Sequence, residues 1–204
     1  MPSDPADGSA DDTAPLRGGF EELLELVRER GYTRSAVPFV LSSGATSYDY
    51  VDLRRAVGRG RDLRLAASAV ITHLDRLGVE FDAIGGMTMG ADPVAHAVAL
   101  LADKQWFSVR KGEKSHGSRR RVEGAVIDGA QVVLFEDTVS TGRSFLEAHD
   151  VVVATGAVVV HACTLLDRGD EARGAFAALG VEYSCLFDYR DLQIEPIVVP
   201  KGPR

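Results

Sequence analysis

Between Phe81 and Phe187 the chain alternates short apolar runs with segments of helical periodicity, and this alternation limits its possible folds more than any other feature. Strands are expected at Phe81–Gly85, Gln105–Val109, Gln131–Phe135, Ala157–Leu166 and Val181–Phe187. Helices are expected at Asp92–Ala102, Ser144–Ala154 and Glu171–Leu179. Strands separated by single helices build β-α-β units, and such units build a parallel sheet covered on both faces. Val132-Val-Leu-Phe135 and Val158-Val-Val-His-Ala-Cys163 show no in–out alternation, as expected of strands buried on both sides. The expected fold class is therefore α/β, doubly wound around a mainly parallel sheet. With 45% hydrophobic but only 7% aromatic residues, Val, Ala and Leu must supply most of the core.

The remaining segments divide the chain. Residues 1–17 hold one large apolar residue, Leu16, and are expected to form a disordered tail. A helix starts at Phe20, with Leu23, Leu24 and Val27 on one face and Gly31 as its stop. Val37–Leu41 and Tyr50–Leu53 are short extended runs about the turn Ser42–Ser47, and a helix spans Arg61–Leu77. One domain is expected over 18–195, with a small N-terminal unit at about 18–60, a core at about 61–195 and a polar loop at about 110–124. Residues 196–204 are expected to be a flexible tail.

Composition excludes several classes. The longest apolar run, Val151–Val160, is broken by Thr155 and Gly156 and is far too short to span a bilayer. The opening Met-Pro-Ser-Asp-Pro lacks the basic start and apolar block of a secretory signal, so a cytoplasmic location is expected. Cys163 and Cys185 are the only cysteines, too few for a disulfide framework or a four-cysteine zinc site. A net charge of −7 argues against a nucleic-acid partner, and no membrane partner is expected. Yet residues 110–121 concentrate Arg110, Lys111, Lys114, Arg119, Arg120 and Arg121 with His116 against the single acid Glu113.

The strongest chemical signal is Val132-Val-Leu-Phe-Glu-Asp-Thr-Val-Ser-Thr-Gly-Arg-Ser144. A buried strand runs into two carboxylates, then into hydroxyls around Gly142, then into a helix. Ligands of open α/β sheets bind at the carboxyl ends of strands. Backbone N–H groups and hydroxyls over Ser140–Ser144, at a helix N-terminus, suit a phosphate. Glu136 and Asp137 would repel that phosphate but would accept hydrogen bonds from neighbouring sugar hydroxyls. Together they describe a ribose 5-phosphate cradle.

This segment resembles the phosphoribosyl-pyrophosphate (PRPP) motif of class I phosphoribosyltransferases. The resemblance implies that Glu136, Asp137, Thr138, Val139, Ser140, Thr141, Gly142, Arg143 and Ser144 bind PRPP, with Asp137 catalytic. Ser108-Val-Arg-Lys-Gly-Glu-Lys-Ser-His-Gly117 resembles the mobile catalytic loop of orotate phosphoribosyltransferases, with Arg110, Lys111, Lys114 and His116 matching one for one. The match implies that these four hold the pyrophosphate, that Lys114 and His116 are catalytic, and that the loop reaches the partner's site in a homodimer. Cations there would stabilise charge on the leaving oxygens.

Leu41-Ser-Ser-Gly-Ala-Thr-Ser-Tyr-Asp-Tyr-Val-Asp-Leu-Arg54 resembles the family's N-terminal hood, which implies Tyr50 and Val51 against the orotate ring. Leu165-Leu-Asp-Arg168 matches the family's Asp-Arg, which implies Arg168 on the orotate carboxylate; Ser140 is assigned to orotate as well. Thr46 and Met89 stand where many members carry lysine, and Thr88-Met-Gly-Ala-Asp-Pro93 is similar to actinobacterial members.

The family reading implies an orotate phosphoribosyltransferase of pyrimidine nucleotide biosynthesis, turning orotate and PRPP into orotidine 5′-phosphate and pyrophosphate with Mg²⁺ as cofactor and no dedicated protein metal cage. The rivals are a paralogue acting on another base and a non-catalytic sensor of PRPP. Arg168 speaks against the first, and the complete set Arg110, Lys111, Lys114 and His116 against the second. His73, His96, His149 and His161 are expected to be structural or solvated, the two cysteines to be packing residues, and Arg119–Arg121 to be solvated.

Overall fold

The computed structural model describes residues 19–41, 44–112, 121–125 and 128–198. The expected tail at 1–17 lies outside them, as do Lys114, His116, Arg119 and Arg120.

The N-terminal part opens with α1 (Gly19–Leu26), which widens into a π-helical turn at Val27–Gly31. Strands β1 (Tyr32–Val40) and β2 (Thr46–Val51) then pair antiparallel as a separate two-stranded sheet. A single helical turn follows, α2 (Leu53–Ala56), capped by Asp52, which accepts from the Arg55 amide at 3.2 Å. It gave no signal in the sequence because one turn shows no periodicity.

From there the chain builds α3 (Gly60–Arg76), β3 (Ala83–Met87), α4 (Asp92–Leu101), β4 (Gln105–Val109), β5 (Val122–Gly124), β6 (Gln131–Val139), α5 (Arg143–Val153), β7 (Val158–Asp167), α6 (Glu171–Ala178) and β8 (Tyr183–Asp188). The six strands order as β5-β4-β3-β6-β7-β8, and all neighbours are parallel except β5 against β4. The expected doubly wound architecture is thus observed.

Both faces of the sheet are buried, which explains the unpatterned strands. Val133 and Phe135 of β6 pack with α1, α3 and α4, whereas Val132 and Leu134 pack with α5 and α6. Since α4 and α5 lie on opposite faces, the crevice above the carboxyl ends of β3 and β6 is the topological switch point.

Three sequence boundaries are corrected. Strand β6 does not end at Phe135: Glu136, Thr138 and Val139 continue the ladder against Thr164, Leu166 and Asp167 of β7. The acids therefore sit on the strand and not in the turn after it. The segment expected as loop at 110–124 includes β5, a three-residue edge too short for period-2 patterning to register. Finally, Ile197 is not part of a free tail, because it is buried and its amide donates to the Arg168 carbonyl at 2.6 Å.

Candidate active site

The site starts from glycines that let backbones meet. A Cβ on Gly86 of β3 would stand 1.8 Å from the Phe135 carbonyl oxygen, so only glycine fits between β3 and β6 there. The chain then turns through Thr88–Ala91 into α4. Asp92 pins this turn, accepting from the Thr88 hydroxyl at 2.5 Å and from the Ser108 hydroxyl of β4 at 2.7 Å. A Cβ on Gly90 would lie 2.7 Å from Asp137 Oδ1 and 3.0 Å from Glu136 Oε1, so this turn lies directly against the two acids. Met89 is 68% exposed on it.

Glu136 is buried, and burial, reinforced by Asp137, pushes its carboxyl well above the ordinary range. Its Oε2 and the Thr138 hydroxyl have no hydrogen-bond partner among the described residues. Burial also raises Asp137, against the pull of the Thr138 amide, which donates to Oδ1 at 2.7 Å, and of the Arg54 charge. A buried carboxylate oxygen without a donor, such as Glu136 Oε2, is poised to accept a hydroxyl from a ligand.

Beyond Val139 the backbone makes a glycine-dependent turn into α5, with Gly142 at φ 73° and no side chain capping the helix. The Arg143 amide donates to the Thr141 hydroxyl oxygen at a long 3.4 Å, and a helix start of this kind suits a phosphate. Lys111 and Thr138–Ser144 line a cleft of about 900 Å³ over this helix start. The structure thus brings Lys111, Ser140, Thr141, Gly142, Arg143 and Ser144 together around one space, with Glu136 and Asp137 on the strand that leads into it.

Arg110 lies at the base of the basic segment, where its amide donates to the Arg121 carbonyl at 2.8 Å and its side chain comes within 3.8 Å of Glu123. The expectation that Arg121 is merely solvated fails. Its guanidinium donates to the Arg110 carbonyl at 2.8 and 3.0 Å and pairs with Glu147 of α5, closing the base of the loop.

Arg168 is only 2% exposed, at the end of β7. Asp167 shapes this end, accepting from the Gly169 amide at 3.0 Å and the Tyr183 hydroxyl at 2.8 Å. The guanidinium reaches β2, donating to the Asp49 carbonyl oxygen at 2.8 Å and the Ser47 hydroxyl at 3.3 Å, while its Nε has no partner among the described residues. Burial lowers its pKa.

Tyr50 and Val51 do not share one surface, because consecutive strand residues point to opposite faces. Tyr50 is exposed and packs on Phe39 at 5.3 Å, whereas Val51 joins the core. The β2 residues at Arg168 are Ser47 and Asp49, which the sequence reading passed over. Strand alternation from Val51 was the signal that could have found them.

The other candidates have structural surroundings. His73 and His161 share the Ser184 hydroxyl at 2.9 and 2.8 Å, and burial lowers both pKa values. His96 packs against Trp106. Burial pushes the Cys163 thiol up to about 12 and Cys185 up to about 11, so both stay protonated.

No family model matches the chain. Orotate phosphoribosyltransferase of Corynebacterium glutamicum is 40% identical over 176 residues, which cover 84% of this chain and 92% of that protein. The chain belongs to the orotate phosphoribosyltransferase family. The Pyrococcus furiosus enzyme of that name is 34% identical over 78% of this chain and 87% of its own length. Among solved structures, Mycobacterium tuberculosis orotate phosphoribosyltransferase in complex with PRPP superimposes with a TM-score of 0.69 and 34% identity, covering 86% of this chain and 99% of that one. An adenine phosphoribosyltransferase from Thermoanaerobacter pseudethanolicus, 17% identical with a TM-score of 0.61, shares the fold. The α/β architecture expected from the class I phosphoribosyltransferase resemblance is therefore the one observed. No helix among the described residues is long and apolar enough to cross a membrane.

Proposed function

We propose that this chain transfers phosphoribose from PRPP to orotate, releasing pyrophosphate and forming orotidine 5′-phosphate, within pyrimidine nucleotide biosynthesis. The observation that carries this reading is the placement of Arg168: a buried guanidinium whose Nε has no partner among the described residues, and whose own amide is bonded to the end of the strand that bears the acids. A guanidinium fork suits a planar carboxylate, which orotate has and uracil lacks.

In this reading the 5′-phosphate sits on the amides and hydroxyls of Ser140–Ser144, and the ribose hydroxyls donate to Glu136 and Asp137. A ring nitrogen of orotate bonds to the anomeric carbon and releases its proton to water, while the carbon–oxygen bond to pyrophosphate breaks and the oxygen keeps the pair. Asp137 stabilises the positive ribose that develops. Arg110, Lys111, Lys114 and His116 meet the growing negative charge, and His116 protonates the leaving group where pH requires it.

Among the described residues no three His, Cys, Asp or Glu side chains stand together as a metal site. Mg²⁺ favours phosphate and water oxygens, so the paired acids Glu136 and Asp137 suit an ion held by pyrophosphate, ribose hydroxyls and water, which would neutralise charge on the diphosphate. We assign the enzyme to the cytoplasm, supported by its acidic, cysteine-poor composition. We also assign a homodimer in which each loop serves its partner's site, since the basic charges of residues 110–121 outnumber the acids of their own segment.

Mixing the protein with orotate, PRPP and Mg²⁺ tests this. Orotate absorbance should fall only when PRPP is present, with pyrophosphate and orotidine 5′-phosphate appearing in equal amounts. Unchanged orotate would contradict the proposal.

A further inference from the structure

Strand β2 carries a buried carboxylate that the proposed reaction does not use. Asp49 is 3% exposed although its neighbour Tyr48 is 50% exposed. A two-stranded ribbon is an unfavourable place to bury charge unless the charge is paired and hydrogen-bonded. Asp49 meets both conditions. It lies opposite Arg34 in the ladder, and its Oδ1 accepts from Arg34 at 3.1 Å and from the Tyr32 hydroxyl at 2.8 Å.

The backbone on either side of this anchor holds Arg168. The Asp49 amide donates to the Ser47 hydroxyl oxygen at 3.1 Å, and that oxygen also accepts from Arg168 at 3.3 Å. Two acceptor positions are then filled, and the hydroxyl hydrogen of Ser47 is left to donate elsewhere. The Asp49 carbonyl takes the other terminal nitrogen of Arg168 at 2.8 Å. Arg168 is therefore oriented by neutral oxygens, while the Asp49 carboxylate is turned to Arg34 and Tyr32. A direct ion pair with Asp49 would orient the guanidinium but neutralise it. Holding it through a carbonyl and a hydroxyl fixes its direction without a direct ion pair, and the nearby Asp49 carboxylate favours its charged form.

We propose that Asp49 is a positioning residue: by anchoring β2 through Tyr32 and Arg34, it aims Arg168 and so sets selectivity for a carboxylate-bearing base. This rests on the reading of Arg168 as the partner of the orotate carboxylate.

The test uses the full chain as wild type, Asp49→Ala, Asp49→Asn and Tyr32→Phe, with KM for orotate and for PRPP, kcat, and Tm measured on each. Asp49→Ala should raise the orotate KM about tenfold or more and move the PRPP KM less than about twofold. Asp49→Asn keeps an acceptor for Tyr32 and should recover part of the loss. Tyr32→Phe removes one hydroxyl, leaves a foldable chain, and should shift the orotate KM in the same direction by a smaller factor. The orotate-over-uracil ratio of kcat/KM should fall in each variant. Parallel rises in both KM values, or an orotate KM unchanged in Tyr32→Phe and Asp49→Asn, overturn the proposal. If Asp49→Ala does not fold, those two variants decide the question. A wild type that leaves orotate untouched defeats the underlying reading instead, so the two failures are distinguishable.

Discussion

The Arg168 amide donates to the Val139 carbonyl at 2.7 Å, joining the proposed base side of the site to the proposed ribose-phosphate side through one backbone hydrogen bond. The next residue keeps the two segments in contact, because a Cβ at Gly169 would stand 2.3 Å from the Ser140 carbonyl oxygen. Gly169→Ala must therefore push the Arg168 turn away from the phosphate turn. Overpacking of this kind costs about 1–3 kcal/mol. We expect a lower Tm together with raised KM values for both substrates, measurable by thermal unfolding and initial rates; unchanged kinetics would disprove the coupling.

Gly90→Ala tests the contact between the glycine-rich turn and the acids. The added methyl meets Asp137 Oδ1, which the Thr138 amide already holds. Relieving the contact moves the carboxylate off that amide, so kcat/KM for PRPP should drop about tenfold or more, equivalent to about 1.4 kcal/mol of lost transition-state stabilisation. Because the contact is with side-chain ends and not a core strand, Tm should change little.

Asp137→Asn should abolish most transfer while making the chain more stable at neutral pH. Burial raises the folded-state pKa of Asp137, so the folded chain keeps that proton to higher pH than the unfolded chain does. The cost of ionisation is absent in acid, where both states are protonated, and appears as pH rises from the ordinary carboxylate range through the raised value. The Tm gain of Asp137→Asn should therefore be largest near neutrality and vanish towards about pH 4. In the wild type, activity should fall as pH drops through the same window, because the ribose cradle needs the ionised form. A variant less stable than wild type at pH 7 would contradict this.

How much of this was legible beforehand follows from what each signal requires. The strands of the parallel sheet announced themselves as apolar runs because both faces are covered, and the Glu136–Ser144 motif is contiguous, so its chemistry could be read directly. The end of β6 could not, since Glu136 and Asp137 look like loop residues until β7 is seen to pair beside them. Asp49 and Ser47 were missed because their role depends on Arg168, more than a hundred positions away. Arg121 looked like spare surface charge because its partner Glu147 lies on α5.

The shared-loop assignment has its own test. Lys114→Ala and Asp137→Asn should each be nearly inactive alone. Mixed under subunit exchange, half of the dimers are hybrids, each with one site drawing Asp137 from one chain and Lys114 from the other. About a quarter of wild-type sites should return. Verified exchange without recovered activity would place the loop in its own chain's site.

The most direct measurement compares bases on wild type and Arg168→Ala: orotate, uracil, hypoxanthine and nicotinate, each with PRPP and Mg²⁺. The wild type should use orotate and leave uracil essentially unconverted. Arg168→Ala should raise the orotate KM about tenfold or more, far beyond any change for PRPP, because a buried carboxylate loses its partner. Comparable turnover of uracil by the wild type, or equal KM shifts for orotate and PRPP in the variant, would contradict the account.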